Sequence, residues 1–326
     1  MNKKVYITSQ IPEIGISLLK EKYDVEFSLK RTADQNSLAR KIGDCHGLVT
    51  LLSDKIDETI LSAGRNLKIV ANYAVGYNNI DIEAAKKYKI MVTNTPGVLT
   101  NATAEIAFAL LINLTRRILE ADKFTREGKF TGWGPLLLLG DELRGKNIGI
   151  IGLGRIGQDM ALKCRAFGMN IIYHARKPAD REIEKSLDAR YCGFDELLAQ
   201  SDAISLHTPL TQETFHLIGR KAFKKMKDGV YVINTSRGEV MDEKALADAL
   251  LSGKVKGAGL DVYESEPEIT AELLSMKNVV LLPHIGSATV ETRNKMAEMA
   301  AKNVIAALEG KKPENLVPEL EGMFDV

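Results

Sequence analysis

The sequence predicts an α/β protein with two doubly wound parallel sheets, formed one after the other along the chain. Short runs rich in β-branched residues alternate with stretches of helical periodicity, and this alternation occurs in two successive series. Strands that alternate with helices pair in parallel, because each helix crosses back over the sheet. The chain has 326 residues, 45% of them hydrophobic, which is enough for two separate cores.

Each series can be followed along the chain. The first contains the strand patterns KVYITS, HGLVTLL, LKIVANYAV and IMVTNT; the second contains KNIGIIGLG, NIIYHAR, DAISLHTPL, GVYVINTSRG, GAGLDVYE and NVVLLPHIG. Between them the periodicity predicts one long linking helix, from Thr100 or Asn101 to about Gly128. A last helical pattern ends at Gly310, before the apolar tail PENLVPELEGMF, and we expect it to return the chain to the first domain. The predicted domains are residues 1–100, residues 101–286 and, completing the first, residues 287–326.

The composition argues against several classes of partner. The 44 lysine and arginine residues nearly balance the 43 aspartate and glutamate residues, so no net field recruits nucleic acid or an anionic membrane. The N-terminal MNKKVYITSQ lacks the apolar segment of a signal peptide, and no apolar run is long enough to span a membrane. Cys45, Cys164 and Cys192 lack the spacing of a disulfide framework or a zinc site. We therefore expect a cytoplasmic protein whose partners are small molecules or copies of itself.

A glycine motif follows the first strand of the second series. In IGIIGLGRIGQDMALKCRAFG, the residues Gly152, Gly154 and Gly157 come after a strand and open an apolar helix. The first glycine permits a tight turn, the second lets the backbone approach a pyrophosphate, and the third lets helix and strand pack closely. A dinucleotide would then lie at the helix N-terminus. The alternative is a glycine-rich turn without a ligand.

Several blocks in both domains match those of a known family. They are GLGRIG, INTSRGEVMDEKALADALLSGKVKGAGLDVYESEP and LLPHIGSAT, with VGYNNID and NTPGVLTNATAE before the linking helix. On these blocks the chain resembles the D-isomer-specific 2-hydroxyacid dehydrogenases, and among them the glyoxylate/hydroxypyruvate reductases. The resemblance implies a flavodoxin-like substrate domain, a Rossmann dinucleotide-binding domain and an active site in the cleft between them. It also implies that Arg237, Glu266 and His284 are the catalytic residues.

The three catalytic candidates suit the chemistry of 2-oxo acid reduction, which needs a hydride at the carbonyl carbon and a proton for the developing alkoxide. His284 ends a strand pattern, in the crevice where open α/β sheets bind ligands, and histidine titrates near neutral pH. Glu266 would accept the other imidazole N–H and favour the protonated ring. Arg237, after the buried run VYVINTS, can hold a carboxylate with two hydrogen bonds. The alternatives are a packed core histidine and an arginine in a surface turn.

The resemblance assigns further residues to the ligands. For the cofactor it implies Arg155 and Ile156 at the pyrophosphate, Thr208 and Pro209 beside the adenosine, Thr235 at the nicotinamide ribose and Asp261 at the nicotinamide amide. Thr103 either contacts the cofactor or caps a helix, and on sequence alone Asp261 could be only a polar strand end. For the substrate it implies the backbone N–H groups of Val75 and Gly76. We expect the side chains near Leu52, Trp133 and Ser287 to decide which 2-oxo acid is preferred. We predict no metal site, because the histidines lack acidic residues at ligand spacing.

The segment NIIYHARKPADRE bears on the choice of coenzyme. NAD-binding folds place an acidic residue at the end of the second strand, where it binds the ribose 2′-hydroxyl. Here His174 ends the strand pattern, and Arg176 and Lys177 follow without a carboxylate before Asp180. Two cations can bind a 2′-phosphate, so we expect NADP(H) to be preferred and NAD(H) to remain usable. The alternative is an ordinary basic surface turn.

The stretch GKFTGWGPLLLLGDELRGK has neither helical nor strand periodicity. The resemblance implies a homodimer formed through this region, so Leu136 to Leu139 are predicted interface residues. Trp133 either borders the partner's substrate pocket or is a plain interface anchor.

Two other classes of function remain at this stage. One is a non-catalytic dinucleotide sensor, similar to a corepressor. The other is a related enzyme acting on phosphoglycerate, formate, phosphite or a bulkier 2-oxo acid. The complete set of Arg237, Glu266 and His284 argues against the sensor, and the presence of Glu266 rather than glutamine argues against a formate-type enzyme.

Overall fold

The computed structural model describes residues 2–29 and 34–324. The chain divides into two α/β units, the first formed by Met1–Leu99 with Ser287–Val326 and the second by Thr100–Gly286. Each unit contains one sheet whose strands all pair in parallel, which confirms the predicted fold class. Within the described residues, no helix combines the length and the apolar character needed to cross a membrane.

The first unit has a five-stranded sheet in the order β2-β1-β3-β4-β5, which is the flavodoxin-like order. Its strands are β1 Lys4–Ile7, β2 Asp24–Phe27, β3 Gly47–Thr50, β4 Ile69–Asn72 and β5 Met91–Thr93. The connecting helices are α1 Glu13–Lys20, α2 Gln35–Ile42, α3 Glu58–Ala63 and α4 Ile82–Tyr88. Asp34, Asp57 and Asp81 cap three of these helices, because each carboxylate accepts a backbone N–H of the first turn. β3 and β4 are buried along their whole length.

The second unit has a seven-stranded sheet in the order β12-β11-β10-β9-β6-β7-β8, a Rossmann order with one further strand. Its strands are β6 Asn147–Ile151, β7 Asn170–His174, β8 Ala189–Tyr191, β9 Ala203–Leu206, β10 Val230–Asn234, β11 Val255–Leu260 and β12 Val279–Leu281. Its helices are α5 Thr100–Arg116, α6 Ile118–Arg126, α7 Arg155–Ala166, α8 Arg181–Leu187, α9 Phe194–Gln200, α10 Arg220–Lys225, α11 Glu243–Leu251 and α12 Ala271–Ser275. The strand order reverses between β6 and β9, so the loops after these two strands lie side by side.

The last helix, α13 Val290–Leu308, packs in the first unit. It crosses α1 closely at Gly15, where a Cβ atom would lie 2.7 Å from the carbonyl oxygen of Ala297. The tail after α13 also packs there, because the Val317 N–H donates to Val92 O at 3.0 Å and Leu320 is buried.

The prediction of one linking helix to about Gly128 is wrong, because two helices, α5 and α6, occupy this stretch. The break falls at Arg117, whose φ of 53° is left-handed. The carbonyl of Thr115 accepts the N–H of Asp141 at 2.8 Å, and a Cβ on Gly140 would lie 2.1 Å from the same carbonyl oxygen. A loop later in the chain thus takes an acceptor that a continuous helix needs for itself.

The strand patterns did not include β2 and β8. Both lie next to strands that were predicted, at sheet edges, and both carry exposed charged side chains in place of an apolar run. Edge strands of this kind are common because one side of the strand faces solvent.

Candidate active site

The glycine loop after β6 has the geometry that a dinucleotide requires. Gly152 has a φ of 95°, and a Cβ there would lie 2.7 Å from His207 O. A Cβ on Gly157 would lie 2.1 Å from Gly152 O, so α7 can approach β6 only with glycine at that position. A Cβ on Gly154, in contrast, would meet open space, and Gly154 is the N-cap residue of α7, which has no side-chain cap. The first turn therefore keeps its N–H groups for a ligand, beside Arg155 and Ile156.

Two buried hydroxyls provide an independent test of whether a cofactor fits. The Oγ1 atoms of Thr208 and Thr235 are buried and have no hydrogen-bond partner within the described residues. Thr208 follows β9 and its methyl group would lie 3.1 Å from a Cβ on Gly152, whereas Thr235 follows β10. A buried hydroxyl without a partner is unfavourable, and a bound ligand can supply the missing partner. These residues fit a dinucleotide along the ends of β6, β9 and β10.

The catalytic candidates lie at neighbouring strand ends in the second unit. The Nδ1 atom of His284 is 2.9 Å from Oε2 and 3.1 Å from Oε1 of Glu266, so the predicted pair is in contact. Burial alone would raise the pKa of Glu266, but the hydrogen bond and charge of His284, the Tyr263 N–H and the charge of Arg237 lower it below the ordinary value.

Asp261 anchors the loop that carries His284. It is buried directly after β11, and its carboxylate accepts the N–H groups of Ile285 and Gly286, each at 2.7 Å. Burial raises the pKa of Asp261, although these two N–H groups and the nearby His284 favour the ionised form. Asp261 therefore has a structural role in addition to its predicted contact with the nicotinamide.

Arg237 lies in the loop after β10, and Asn234 shapes that loop. The Asn234 Nδ2 donates to Arg237 O at 2.8 Å, and its Oδ1 accepts the N–H and the hydroxyl of Ser236. A Cβ on Gly238 would lie 1.9 Å from the carbonyl carbon of Tyr263, so glycine lets this loop pack against the segment leading to Glu266. Burial lowers the pKa of Arg237, against the charges of Glu239 and Glu266.

The end of β7 lies beside the glycine loop, because the N–H of Gly152 donates to His174 O at 2.8 Å. The His174 Nδ1 is 3.0 Å from Cys192 O, a carbonyl that can only accept, so Nδ1 donates in this contact. Arg176 and Lys177 follow and are exposed. The candidate ribose contacts are thus grouped at one end of the second sheet.

Other predicted residues lie elsewhere. Leu52, Val75 and Gly76 follow β3 and β4 in the first unit, which also contains Ser287. Thr103 is buried inside α5, three residues after its first residue, and therefore does not cap it; a Cβ on Gly286 would lie 3.3 Å from its methyl group. Pro209 is exposed next to Thr208.

Sequence reasoning missed a second histidine and carboxylate pair. His216 Nε2 lies 2.6 Å from Oε1 of Glu264, whose Oε2 accepts the N–H of Glu243 at 3.0 Å. The buried Glu243 in turn accepts the N–H of Glu264 at 2.7 Å. These contacts fix the position of Glu264, and with it the segment that contains Glu266. No spacing rule links His216 to Glu264, because they belong to separate loops.

The fold and the site together define a dehydrogenase with a nicotinamide dinucleotide cofactor. The model of the D-isomer specific 2-hydroxyacid dehydrogenase NAD-binding domain matches residues 108–286, and the chain belongs to this family.

Particular relatives are similar over nearly the whole chain. A glyoxylate reductase of Thermococcus litoralis is 52% identical, with 97% of each chain covered. The structure of a glyoxylate reductase from Paecilomyes thermophila has a TM-score of 0.88 and 35% identity, covering 98% of this chain and 99% of that one. An NADPH-dependent glyoxylate/hydroxypyruvate reductase from Sinorhizobium meliloti, in complex with NADP and malonate, has a TM-score of 0.87 and 32% identity, with 98% of each chain covered.

Proposed function

We propose that this protein reduces glyoxylate, hydroxypyruvate or both to the corresponding D-2-hydroxy acid, with His284 as the proton donor. The observation that carries the proposal is the contact between His284 and Glu266, next to Arg237, at the ends of neighbouring strands. The names of the glyoxylate reductase relatives support the choice of substrate. The second unit is the dinucleotide-binding domain in this proposal, and the first is the substrate domain.

The nicotinamide, when bound, supplies the hydride to the carbonyl carbon of the substrate. Arg237 binds the substrate carboxylate and polarises the carbonyl with its planar guanidinium. His284 gives its proton from Nε2, because Nδ1 faces the carboxylate of Glu266. Glu266 keeps the ring in this orientation and stabilises its charged form. The backbone N–H groups of Val75 and Gly76 contribute further donors to the substrate carboxylate.

The coenzyme preference we propose is for NADPH, with NADH also used. Arg176 and Lys177 are exposed after β7, and the structure has His174 at the strand end in place of an acidic residue. Two cations favour a 2′-phosphate, which a carboxylate at this place would repel. The NADPH-dependent relative from S. meliloti supports a preference for NADPH.

The assembly we propose is a homodimer formed through the loop of residues 129–140. Trp133 is 84% exposed and Leu136 is 80% exposed, and Phe130 and Leu139 are exposed nearby. An apolar patch of this kind marks an interaction surface, and a second copy of the chain is the partner that the family favours. Leu136→Asp should halve the mass measured by light scattering, while Leu251→Asp, at another exposed leucine, should leave it unchanged.

A panel of 2-oxo acids tested with NADPH and with NADH examines the whole proposal. Glyoxylate and hydroxypyruvate should give higher kcat/KM values than bulkier 2-oxo acids, and NADPH should be the better coenzyme. Absence of any turnover with either coenzyme would contradict the enzymatic proposal and favour a dinucleotide sensor.

A further inference from the structure

Three consecutive carbonyls in the loop after β4 each accept a hydrogen bond. The donors are the backbone N–H of Thr95 to Ala74 O at 2.9 Å, the Nδ2 of Asn94 to Val75 O at 2.7 Å, and the Nδ2 of Asn72 to Gly76 O at 2.8 Å. Two side-chain amides thus hold one side of the loop that contains the proposed carboxylate donors.

This arrangement also fixes the opposite side of the loop. In a trans peptide, the C=O of one residue and the N–H of the next point in opposite directions. Holding the three carbonyls therefore sets the directions of the N–H groups of Val75, Gly76 and Tyr77. Among the residues that the structure describes, none of these three N–H groups has an acceptor. Successive backbone N–H groups in a turn can form a concavity that binds anions.

Asn72 is held rigidly at the end of β4. Its side chain is fully buried, its Oδ1 accepts the hydroxyl of Thr50 at 3.1 Å, and its Nδ2 also lies 3.3 Å from Oδ1 of Asn79. Asn79 donates in turn to Leu51 O at 3.2 Å. The amide of Asn72 therefore cannot rotate without breaking its hydrogen bonds to Thr50, at the end of β3, and to Gly76.

The backbone of Asn94 is fixed by two hydrogen bonds. This residue follows β5, its N–H donates to Asn315 O at 3.2 Å, and its carbonyl accepts the Nδ2 of Asn303 at 3.5 Å. The tail and α13 thus fix the main chain of Asn94. Its side-chain amide donates to the carbonyl of Val75.

We infer that Asn94 and Asn72 are positioning residues for the substrate carboxylate. Asn94 sets the direction of the Gly76 N–H, and Asn72 sets that of the Tyr77 N–H, which the inference adds as a third donor to the carboxylate. Both side chains act through the backbone of the loop. The inference rests on the proposed function, because it takes the carboxylate of a 2-oxo acid as the anion.

The test uses Asn94→Ala, Asn94→Asp and Asn72→Ala, with Asn147→Ala as the matched control. Asn94→Asp keeps the shape of the side chain but removes the N–H donor. Asn147 also donates one amide hydrogen bond to a carbonyl, that of Gln200 at 2.9 Å, but it begins β6, at the opposite end of that strand from the glycine loop. For each variant the readouts are the KM and kcat for glyoxylate, the calorimetric affinity of the coenzyme-loaded protein for oxamate, the coenzyme affinity and the Tm.

The expected result is a loss of carboxylate binding alone. Disorienting a donor to a charged group should raise the glyoxylate KM and the oxamate Kd together, by about 10–100-fold in the Asn94 variants. The kcat should fall far less and coenzyme affinity should be unchanged, because the chemistry and the dinucleotide depend on the second unit. The Tm of Asn94→Ala should match that of Asn147→Ala.

If the variants at Asn94 and at Asn72 all bind oxamate as tightly as the wild type, the inference is overturned. A decrease in Tm well beyond that of the control, with coenzyme affinity falling in parallel, also overturns it, since that result indicates a structural role only. A wild-type protein that binds oxamate but reduces no 2-oxo acid contradicts the proposed function instead, and the oxamate affinities of the variants still decide the positioning role.

Discussion

The Nδ1 atom of His284 lies within hydrogen-bonding distance of both carboxylate oxygens of Glu266, at 2.9 and 3.1 Å. His284 itself has a left-handed backbone, with a φ of 54°, which is uncommon for a residue other than glycine. Asp261 holds this conformation by accepting the next two N–H groups. The direction of the imidazole is therefore set by two acidic residues that follow the adjacent strand, β11, and its Nδ1 is the nitrogen that faces Glu266.

Glu266→Gln should move the alkaline decrease of kcat/KM for reduction to lower pH. The hydrogen bond and the charge of His284 lower the pKa of Glu266, so an ionised carboxylate lies in contact with the ring proposed to donate the proton. Glutamine keeps the hydrogen-bonding shape but removes the charge. The measurement is the pH profile of kcat/KM between pH 5 and about 9.

Glu268→Gln is the control for this experiment, because Glu268 is an exposed carboxylate in the same segment. Its profile should match that of the wild type, and an identical profile in Glu266→Gln would exclude the functional pairing. His284→Ala should lower kcat by roughly 10²–10⁴-fold, the usual contribution of a positioned acid.

Arg237→Ala should raise KM and lower kcat for glyoxylate together, with a decrease in kcat/KM of about 10²-fold or more. The guanidinium is expected both to bind the carboxylate and to polarise the carbonyl, so ground-state and transition-state interactions are lost at once. Arg237→Lys should restore only part of the activity, because an ammonium lacks the planar pair of donors. Arg220→Ala, which breaks an exposed ion pair with Asp248, should leave the kinetics unchanged. An Arg237→Ala protein that unfolds easily but keeps full activity per folded molecule would mean that the residue is structural.

His207 should make the protein less stable in acid. Burial lowers the pKa of His207 from 6.5 to about 4, with its Nε2 2.8 Å from the hydroxyl of Ser205. As the pH falls, the unfolded chain is protonated at His207 before the folded protein is. The contribution of neutral His207 to the free energy of unfolding is therefore complete above pH 6.5 and is lost as the pH falls towards 4. The loss amounts to about 3 kcal/mol at most. In thermal unfolding across this range, His207→Gln should show a shallower decrease in Tm than the wild type. Parallel curves for the two proteins would show that His207 does not contribute.

The sequence predicted the main strands, because strands depend on local patterns, and the family resemblance supplied Arg237, Glu266 and His284 as catalytic candidates. Buried runs mark the strands, and polar residues directly after them, such as Arg237 and His284, must lie at one edge of a parallel sheet. The break at Arg117 was not predictable, since it depends on a carbonyl taken by Asp141 from a later loop. The contacts of Asn234 and Asn72 were missed for a related reason. The direction of an amide side chain in a loop is decided by tertiary neighbours, not by spacing along the chain.

Arg176→Ala should weaken the binding of NADPH by roughly 10–100-fold and hardly change that of NADH. Arg176 is exposed directly after β7, whose last residue, His174, is hydrogen-bonded to the glycine loop through its carbonyl. The proposed preference places the 2′-phosphate beside this cation, and the loss of one charge-assisted contact affects only the coenzyme that carries that phosphate. Arg181→Ala, at an exposed arginine that begins α8, is the matched control and should leave both affinities unchanged. Fluorescence titration gives the two Kd values, and steady-state kinetics gives kcat/KM for each coenzyme. A wild-type kcat/KM that is higher with NADH than with NADPH would contradict the proposed preference, because the two cations would then not decide the choice of coenzyme.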